Sequence, residues 1–245
     1  MIPFLVSREI LNLLYYYQTE VRRFFNNYIS IFNKEYKNDL LKLKKILRER
    51  NAILKSASPN KKDIEIWDEF FIKYSKKIVK KRKNFINMVN AILEKEYNKI
   101  FDDFKQIEIN YKTNFSEKKF LENIENDIDR KTTQVGPHRD KFRIILNGKR
   151  LKKIGSQGQM KSFIINFVLI MAKIYTEEKK RKGILIFDDI FAELDKIRKR
   201  TIFQMIEDLN CQTFFTAIER DFFLNKKGNF YMVDRGDVKE KNEKN

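Results

Sequence analysis

Ile184-Leu185-Ile186-Phe187-Asp188-Asp189 is a run of four apolar residues leading directly into two carboxylates. A short continuous apolar run is the pattern of a parallel-sheet strand, and in an open parallel sheet ligands bind beyond the carboxyl ends of the strands. Both acids would then arrive where a nucleotide sits. One can hold Mg²⁺, usually through water, and the other can orient an attacking water. A hydrophobic strand ending in Asp is also common without any nucleotide, so its neighbours decide the reading. Downstream, the sequence predicts a helix from about Lys196 to Leu209, a second buried strand from Thr213 to Ala217 and a last strand from Phe230 to Val233. Strand, helix, strand in this order implies a right-handed crossover in a mostly parallel α/β sheet.

Upstream, Gln159 to Tyr175 is apolar on nearly every face (Phe163, Ile164, Ile165, Phe167, Val168, Leu169), which predicts a buried helix. Gly155-Ser156-Gln157-Gly158-Gln159 lies at its start, where free backbone N–H groups and the helix dipole favour an anion. After the paired aspartates comes Ala192-Glu193-Leu194-Asp195. A Gly-containing polar loop at a helix start, a strand ending in two acids and then an acidic turn is the order of signature, Walker B and D-loop in ABC-type ATPases.

Farther out the period changes. Ile107, Ile109 and Tyr111 alternate with polar residues as in a half-buried strand, and Phe142 to Leu146, Asn147-Gly148 and a second alternating run read as a β-hairpin with a type I′ turn. From about Asp39 to Ile100 the spacing is helical, broken at Ser58-Pro59-Asn60. Two long helices back to back make an antiparallel arm. The second carries Lys73, Lys76, Lys77, Lys80, Lys81, Arg82 and Lys83 with no acid among them. A solvated face accounts for such a run, and so does a helix that tracks a phosphate backbone, which makes these residues DNA-contact candidates. The expected division is residues 1–130 as a helical arm, 131–240 as part of an ATPase head and 241–245 as a disordered tail.

The 245 residues include 52 basic and 34 acidic ones, a net charge of +18, which points to a polyanionic partner through counterion release. An AT-rich coding sequence gives the same Lys, Asn and Ile bias without any nucleic acid. No apolar run approaches the roughly 18 residues of a membrane span, and the first residues are too short for a secretory signal, so a soluble cytoplasmic protein is expected. The single cysteine, Cys211, excludes an internal disulfide and a cysteine-based metal site. His138, the only histidine, sits in a Gly-Pro turn where an imidazole can simply cap backbone groups, and neither it nor Arg139 has an assigned role.

Several stretches together resemble the RecF family of DNA replication and repair proteins. They are Thr133-Gln134-Val135-Gly136-Pro137-His138-Arg139-Asp140, Gly155 to Gln159, Asp188-Asp189 with Glu193-Leu194-Asp195, and Gln212-Thr213-Phe214-Phe215-Thr216. Arg22-Arg23-Phe24 and Arg50 to Lys55 fall where that family has similar stretches, and the likeness runs from about Ile2 to Val238. The resemblance implies the C-terminal half of an ABC-type head plus a helical arm. Asp188 would be the Mg²⁺-associated Walker B acid and Asp189 the catalytic carboxylate. Ser156, Gln157, Gly158 and Gln159 would meet the γ-phosphate of ATP held by a second subunit, with Asp195 across the same dimer interface. Thr216 falls at the position of the switch residue, often a histidine in ABC ATPases. The implied partners are single-stranded or gapped DNA, RecO- and RecR-type proteins and a second copy or a complementing N-terminal fragment. The implied setting is recombinational repair, replication and the SOS response.

The family's Walker A loop has no counterpart here. The glycines are Gly136, Gly148, Gly155, Gly158, Gly183, Gly228 and Gly236, and none begins a G-x-x-x-x-G-K-[ST] pattern. Without the loop, the chain alone is expected to bind ATP weakly and hydrolyse it negligibly. A truncated frame, a split gene and a subunit offering its signature in trans all fit, and each is expected to leave strands with missing neighbours, an exposed apolar edge and poor solubility. Alternatives are a non-catalytic DNA-binding remnant or another SMC-like ABC ATPase.

Overall fold

A computed structural model describes residues 2–15, 17–56, 58–97, 106–190, 194–218 and 228–241. In chain order it gives β1 (Pro3–Val6), α1 (Arg8–Leu11), α2 (Gln18–Phe32), α3 (Lys34–Leu54) and α4 (Lys61–Tyr97). Then come β2 (Ile107–Lys112), α5 (Glu117–Leu121), α6 (Ile124–Asp129), β3 (Lys141–Leu146), β4 (Lys149–Arg150) and α7 (Leu151–Ile154). The last third contains α8 (Gln157–Lys179), β5 (Ile184–Asp188), α9 (Lys196–Leu209), β6 (Gln212–Thr216), β7 (Phe230–Asp234) and β8 (Asp237–Lys241). Ile100, at the expected end of the arm, Glu193 of the expected D-loop and residues 242–245 of the expected tail lie outside the described residues. Among the described residues no helix is long and apolar enough to cross a membrane.

β5 is the middle strand of a parallel sheet in the order β1-β5-β6. The sequence places residues 1–130 in the arm, but Pro3–Val6 pairs with Ile184–Phe187 and so belongs to the sheet. Four residues carry too little periodicity to reveal a strand; only its distant partner defines it. Nor is β5 buried on both sides. Phe4, Val6, Leu185 and Phe187 turn towards the core, whereas Leu5 is 41% and Phe214 51% exposed, with Ile186 between them in register. The expected apolar edge is therefore an open apolar face, and β6 is half-covered where a buried strand is expected. Phe230 to Val233 does not join this sheet either, but pairs with β8 in a separate exposed hairpin.

β2, β3 and β4 form a second, antiparallel sheet. The Asn147-Gly148 turn has positive φ at both residues, as a type I′ turn requires, but the alternating run after it is only two residues long before α7 begins. Asn90 of α4 accepts from the Ile109 N–H at 2.8 Å and donates to its carbonyl at 3.0 Å, which occupies outward backbone groups of edge strand β2. α8 is buried from Ser162 to Ala172, as its sequence predicts. Phe25 of α2 stacks on Phe142 of β3 at 4.6 Å and meets Phe167 of α8 edge-on at 5.5 Å, so one aromatic cluster joins α2, the second sheet and α8.

α3 and α4 run antiparallel, pinned by Arg50–Asp68 near the turn and Lys81–Asp39 farther along. Two buried arginines connect this arm to the Thr133–Asp140 stretch. Arg50 donates to Asp68 at 2.5 Å, Asp127 at 2.8 Å and Thr133 at 2.7 Å. Arg82 donates to Asp140 and to the Pro137 carbonyl, both at 2.8 Å, and to Asn26 and the Tyr36 hydroxyl. Gly136 lies between these clusters with φ 154°; a Cβ there would come within 2.5 Å of Phe71 Cζ, so the turn admits no side chain.

His138 belongs to the same turn. Its Nε2 lies 3.0 Å from the Thr133 carbonyl, so the neutral ring donates there. Burial pushes its pKa down to about 4, against the opposing pull of that hydrogen bond. The unfolded chain, with a histidine near 6.5, then binds the extra proton, and stability present above pH 6.5 is lost as the pH falls towards 4. A shift of this size corresponds to about 3 kcal/mol. His138→Gln, which keeps a donor and cannot titrate, should lose that much less stability over this window in urea melts; equal losses would place the pH sensitivity elsewhere.

Candidate functional site

The end of β5 delivers Asp188 and Asp189, and β6 in parallel register brings Thr216 opposite Asp188. The Thr216 hydroxyl donates to Asp188 Oδ1 at 2.6 Å and accepts from the Asp189 N–H at 3.0 Å, while the Thr216 carbonyl lies 3.2 Å from that same N–H. One side chain thus fixes one carboxylate and the backbone of the other. Asp189 has φ 52°, a left-handed conformation that Asp and Asn tolerate best among side-chain-bearing residues. That bend redirects its carboxylate towards Arg8, whose Nη2 is 3.5 Å from Asp189 Oδ2. Sequence reading misses Arg8 because it follows the unrecognised strand β1. The signal is register: Val6 pairs with Phe187, so the residues that follow each strand emerge at the same sheet end.

Asp188 is exposed, and no group of three or more His, Cys, Asp or Glu able to hold a metal exists among the described residues. This donor set suits Mg²⁺, which binds through one or two carboxylates, water and substrate phosphates. Thr216→Val keeps the shape but removes the hydroxyl. It should cost about 1 kcal/mol, read as a lower melting temperature, with Thr216→Ser restoring most of it. Equal melting of the valine variant and the parent would show that the hydroxyl does not hold the two acids.

The remaining candidates form a second cluster. Ser156 caps α8: its hydroxyl accepts from the Gln159 N–H at 3.2 Å, and the Gln159 side chain accepts from the Ser156 N–H at 2.8 Å. This reciprocal cap fixes the helix start and leaves the first-turn N–H groups of Gln157 and Gly158 without intrahelical acceptors, an arrangement suited to an anion. A Cβ on Gly158 would lie 3.0 Å from Arg198 Nη1, so the glycine lets α9 approach the cap. Arg198 forms an ion pair with Asp195, which caps α9 and accepts from the Arg198 N–H at 2.9 Å. Those contacts, led by the backbone hydrogen bond, lower the Asp195 pKa. The signature turn and Asp195 therefore meet through a residue that the motif reading does not include.

The basic run of α4 is divided by the fold. Arg82 is 2% exposed with its guanidinium inside the Asp140 cluster, so it is withdrawn as a DNA contact. Lys81 bridges Asp39 at 2.7 Å and Glu35 at 3.0 Å, Lys77 lies 4.0 Å from Glu35, and Lys76 pairs with Glu117 at 2.5 Å. Lys73, Lys80 and Lys83 are exposed, with no ion pair among the described residues. The acids come from α3, α5 and the turn before β3, which the linear run cannot show.

No family model matches the chain. It is 30% identical over 242 residues to the DNA replication and repair protein RecF of Lachnoclostridium phytofermentans, covering 95% of this chain and 67% of that one. Against the protein of the same name from Clostridium botulinum the figures are 31% over 245 residues, 95% and 67%. A solved structure of the recombination mediator protein RecF-ATP in the RecFOR pathway matches with a TM-score of 0.85 at 25% identity, covering 99% of this chain and 68% of that one. A second, RecF-ATPrS, gives 0.84 at 26%, covering 98% and 68%. The chain spans about two thirds of the length of these relatives. With that identity along nearly all its length and the same fold, the chain belongs to the RecF family of DNA replication and repair proteins.

Proposed function

We propose that this chain supplies half of a composite ATP site in a RecF-like protein of recombinational repair and replication, working in the cytosol on single-stranded or gapped DNA. The observation that carries the reading is the Thr216 hydroxyl holding Asp188 and Asp189 together at the carboxyl end of the central strand. In this reading Asp188 holds Mg²⁺ through water, and the ion neutralises phosphate charge when bound. Asp189 orients the attacking water. The α8 start, with Ser156, Gln157, Gly158 and Gln159, receives the γ-phosphate of ATP carried by a second subunit, and Asp195 lies at the same dimer interface. Residues 34–97 serve as the arm, and RecO- and RecR-type proteins are the further partners. The loop that cradles the β- and γ-phosphates comes from a segment outside these 245 residues.

The test is ATP turnover and ATP-dependent dimerisation of the chain with and without a segment carrying the family's Walker A loop. Turnover only in the mixture supports a competent half-site. A mixture that associates but stays inactive favours the second reading, a non-catalytic DNA-binding protein. That reading draws on the exposed Lys73, Lys80 and Lys83 of α4.

A further inference from the structure

On α4, Lys73, Lys76, Lys80 and Lys83 follow one another at three- and four-residue steps and all four are exposed. They form a stripe of roughly 15 Å along the helix, long enough to meet more than one phosphate of a strand. Lys76, Lys80 and Lys83 line an open groove of about 360 Å³ between α4 and the start of α5. Val79 and Phe115 contribute apolar surface to the same groove. Lys77, Lys81 and Arg82 are turned away from this role by Glu35, Asp39 and Asp140. Within the groove one anion is already present: the Glu117 carboxylate, 2.5 Å from Lys76 Nζ and about half exposed.

We propose that this groove binds the backbone of a single DNA strand, with Lys73, Lys80 and Lys83 meeting its phosphates and Glu117 occupying the place of another until a strand displaces it from Lys76. The inference rests on the DNA-binding reading above and assigns it to one face of one helix. A four-lysine stripe is too long for a single phosphate, and the apolar patch suits a sugar or base face better than water. Glu117 acts as a built-in competitor: an exposed ion pair is weak, so a polyanion that releases counterions can replace it.

The experiment measures binding of a mixed-sequence single-stranded oligodeoxynucleotide by the full chain across a salt series, with melting curves to confirm folding. For a single strand each phosphate contact contributes about 0.7 to the log–log salt slope, so Lys80→Gln/Lys83→Gln should lower the slope by about 1.4 and the affinity on the order of 20-fold near 0.1 M salt. Glu117→Gln should raise the affinity. Lys179→Gln/Lys182→Gln, the same charge change between α8 and β5, should leave both quantities near the parent's. Equal losses in the two double variants would overturn the groove and leave only net charge. An unchanged parent-like slope in the Lys80/Lys83 variant would overturn it as well, with the DNA reading intact. A parent that fails to bind the oligonucleotide overturns the DNA reading itself. Preferential capture of polyglutamate over the oligonucleotide would assign the groove to an acidic protein instead.

Discussion

Arg82→Ala should destabilise the folded chain by about 3–5 kcal/mol, the cost of breaking a buried ion pair by removing one partner. Arg82 reaches Asp140, the Pro137 carbonyl, Asn26 and Tyr36, and so joins α2, α3 and α4 to the turn before β3. Its removal strands a buried carboxylate that also accepts from Thr113 and from the Tyr111 hydroxyl. Burial in this cluster works against the charged guanidinium, but the neighbouring Tyr36, Tyr111 and Asp140 more than offset it and raise the Arg82 pKa, so the arginine stays charged. Arg82→Lys should rescue little, because one ammonium cannot replace a planar fork with several partners. Asp140→Asn should be costly alone, yet the double variant Arg82→Ala/Asp140→Asn should lose clearly less than the sum of Arg82→Ala and Asp140→Asn, since no unpaired charge remains. Urea unfolding measures all four. A loss below about 1 kcal/mol for Arg82→Ala, typical of exposed ion pairs, would contradict the buried cluster. The salt slope of DNA binding should be unchanged in any Arg82 variant that remains folded, because the side chain is inside the protein.

The second large effect is on chemistry. In the complemented protein, Asp189→Asn should lower ATP turnover by about 10²–10⁴-fold, the usual range for removing a positioned acid or base. The substitution is a clean test because Asn tolerates the left-handed backbone at φ 52° nearly as well as Asp. The Asp189 N–H can still donate to Thr216, and only the charge facing Arg8 is lost. Melting should therefore move little while turnover collapses. Asp188→Asn should instead shift the Mg²⁺ requirement upward, as expected of the acid that holds the ion. If Asp189→Asn turns over ATP like the parent, the catalytic assignment fails even though the strand ends as drawn.

Much of the site was legible because its signals are local. Ile184 to Asp189 states a strand and its terminal acids in six residues, and the even apolarity of residues 159–175 marks α8 as buried. Gly155 to Gln159 marks the start of α8, and Ser58-Pro59-Asn60 marks the turn of the arm. Each depends on neighbours within a turn or a strand, so periodicity and side-chain type are enough. The family likeness draws on the same short stretches.

What the sequence by itself determined is the strand β5 with the carboxylates at its end, the buried helix α8 with the polar Gly-containing turn at its start, the helix α9 and the antiparallel arm. Only the tertiary structure decided which charges remain available. Lys77, Lys81 and Arg82 read like Lys73, Lys80 and Lys83 in the chain, but Glu35, Asp39 and Asp140 lie 42 to 58 residues from the basic groups they neutralise. The same holds for β1 beside β5, Arg8 beside Asp189 and Arg198 beside Gly158. The physical reason is range. A helix or strand pattern is fixed by contacts a few residues apart, whereas burial and ion pairing are fixed by whichever distant segment the fold packs alongside.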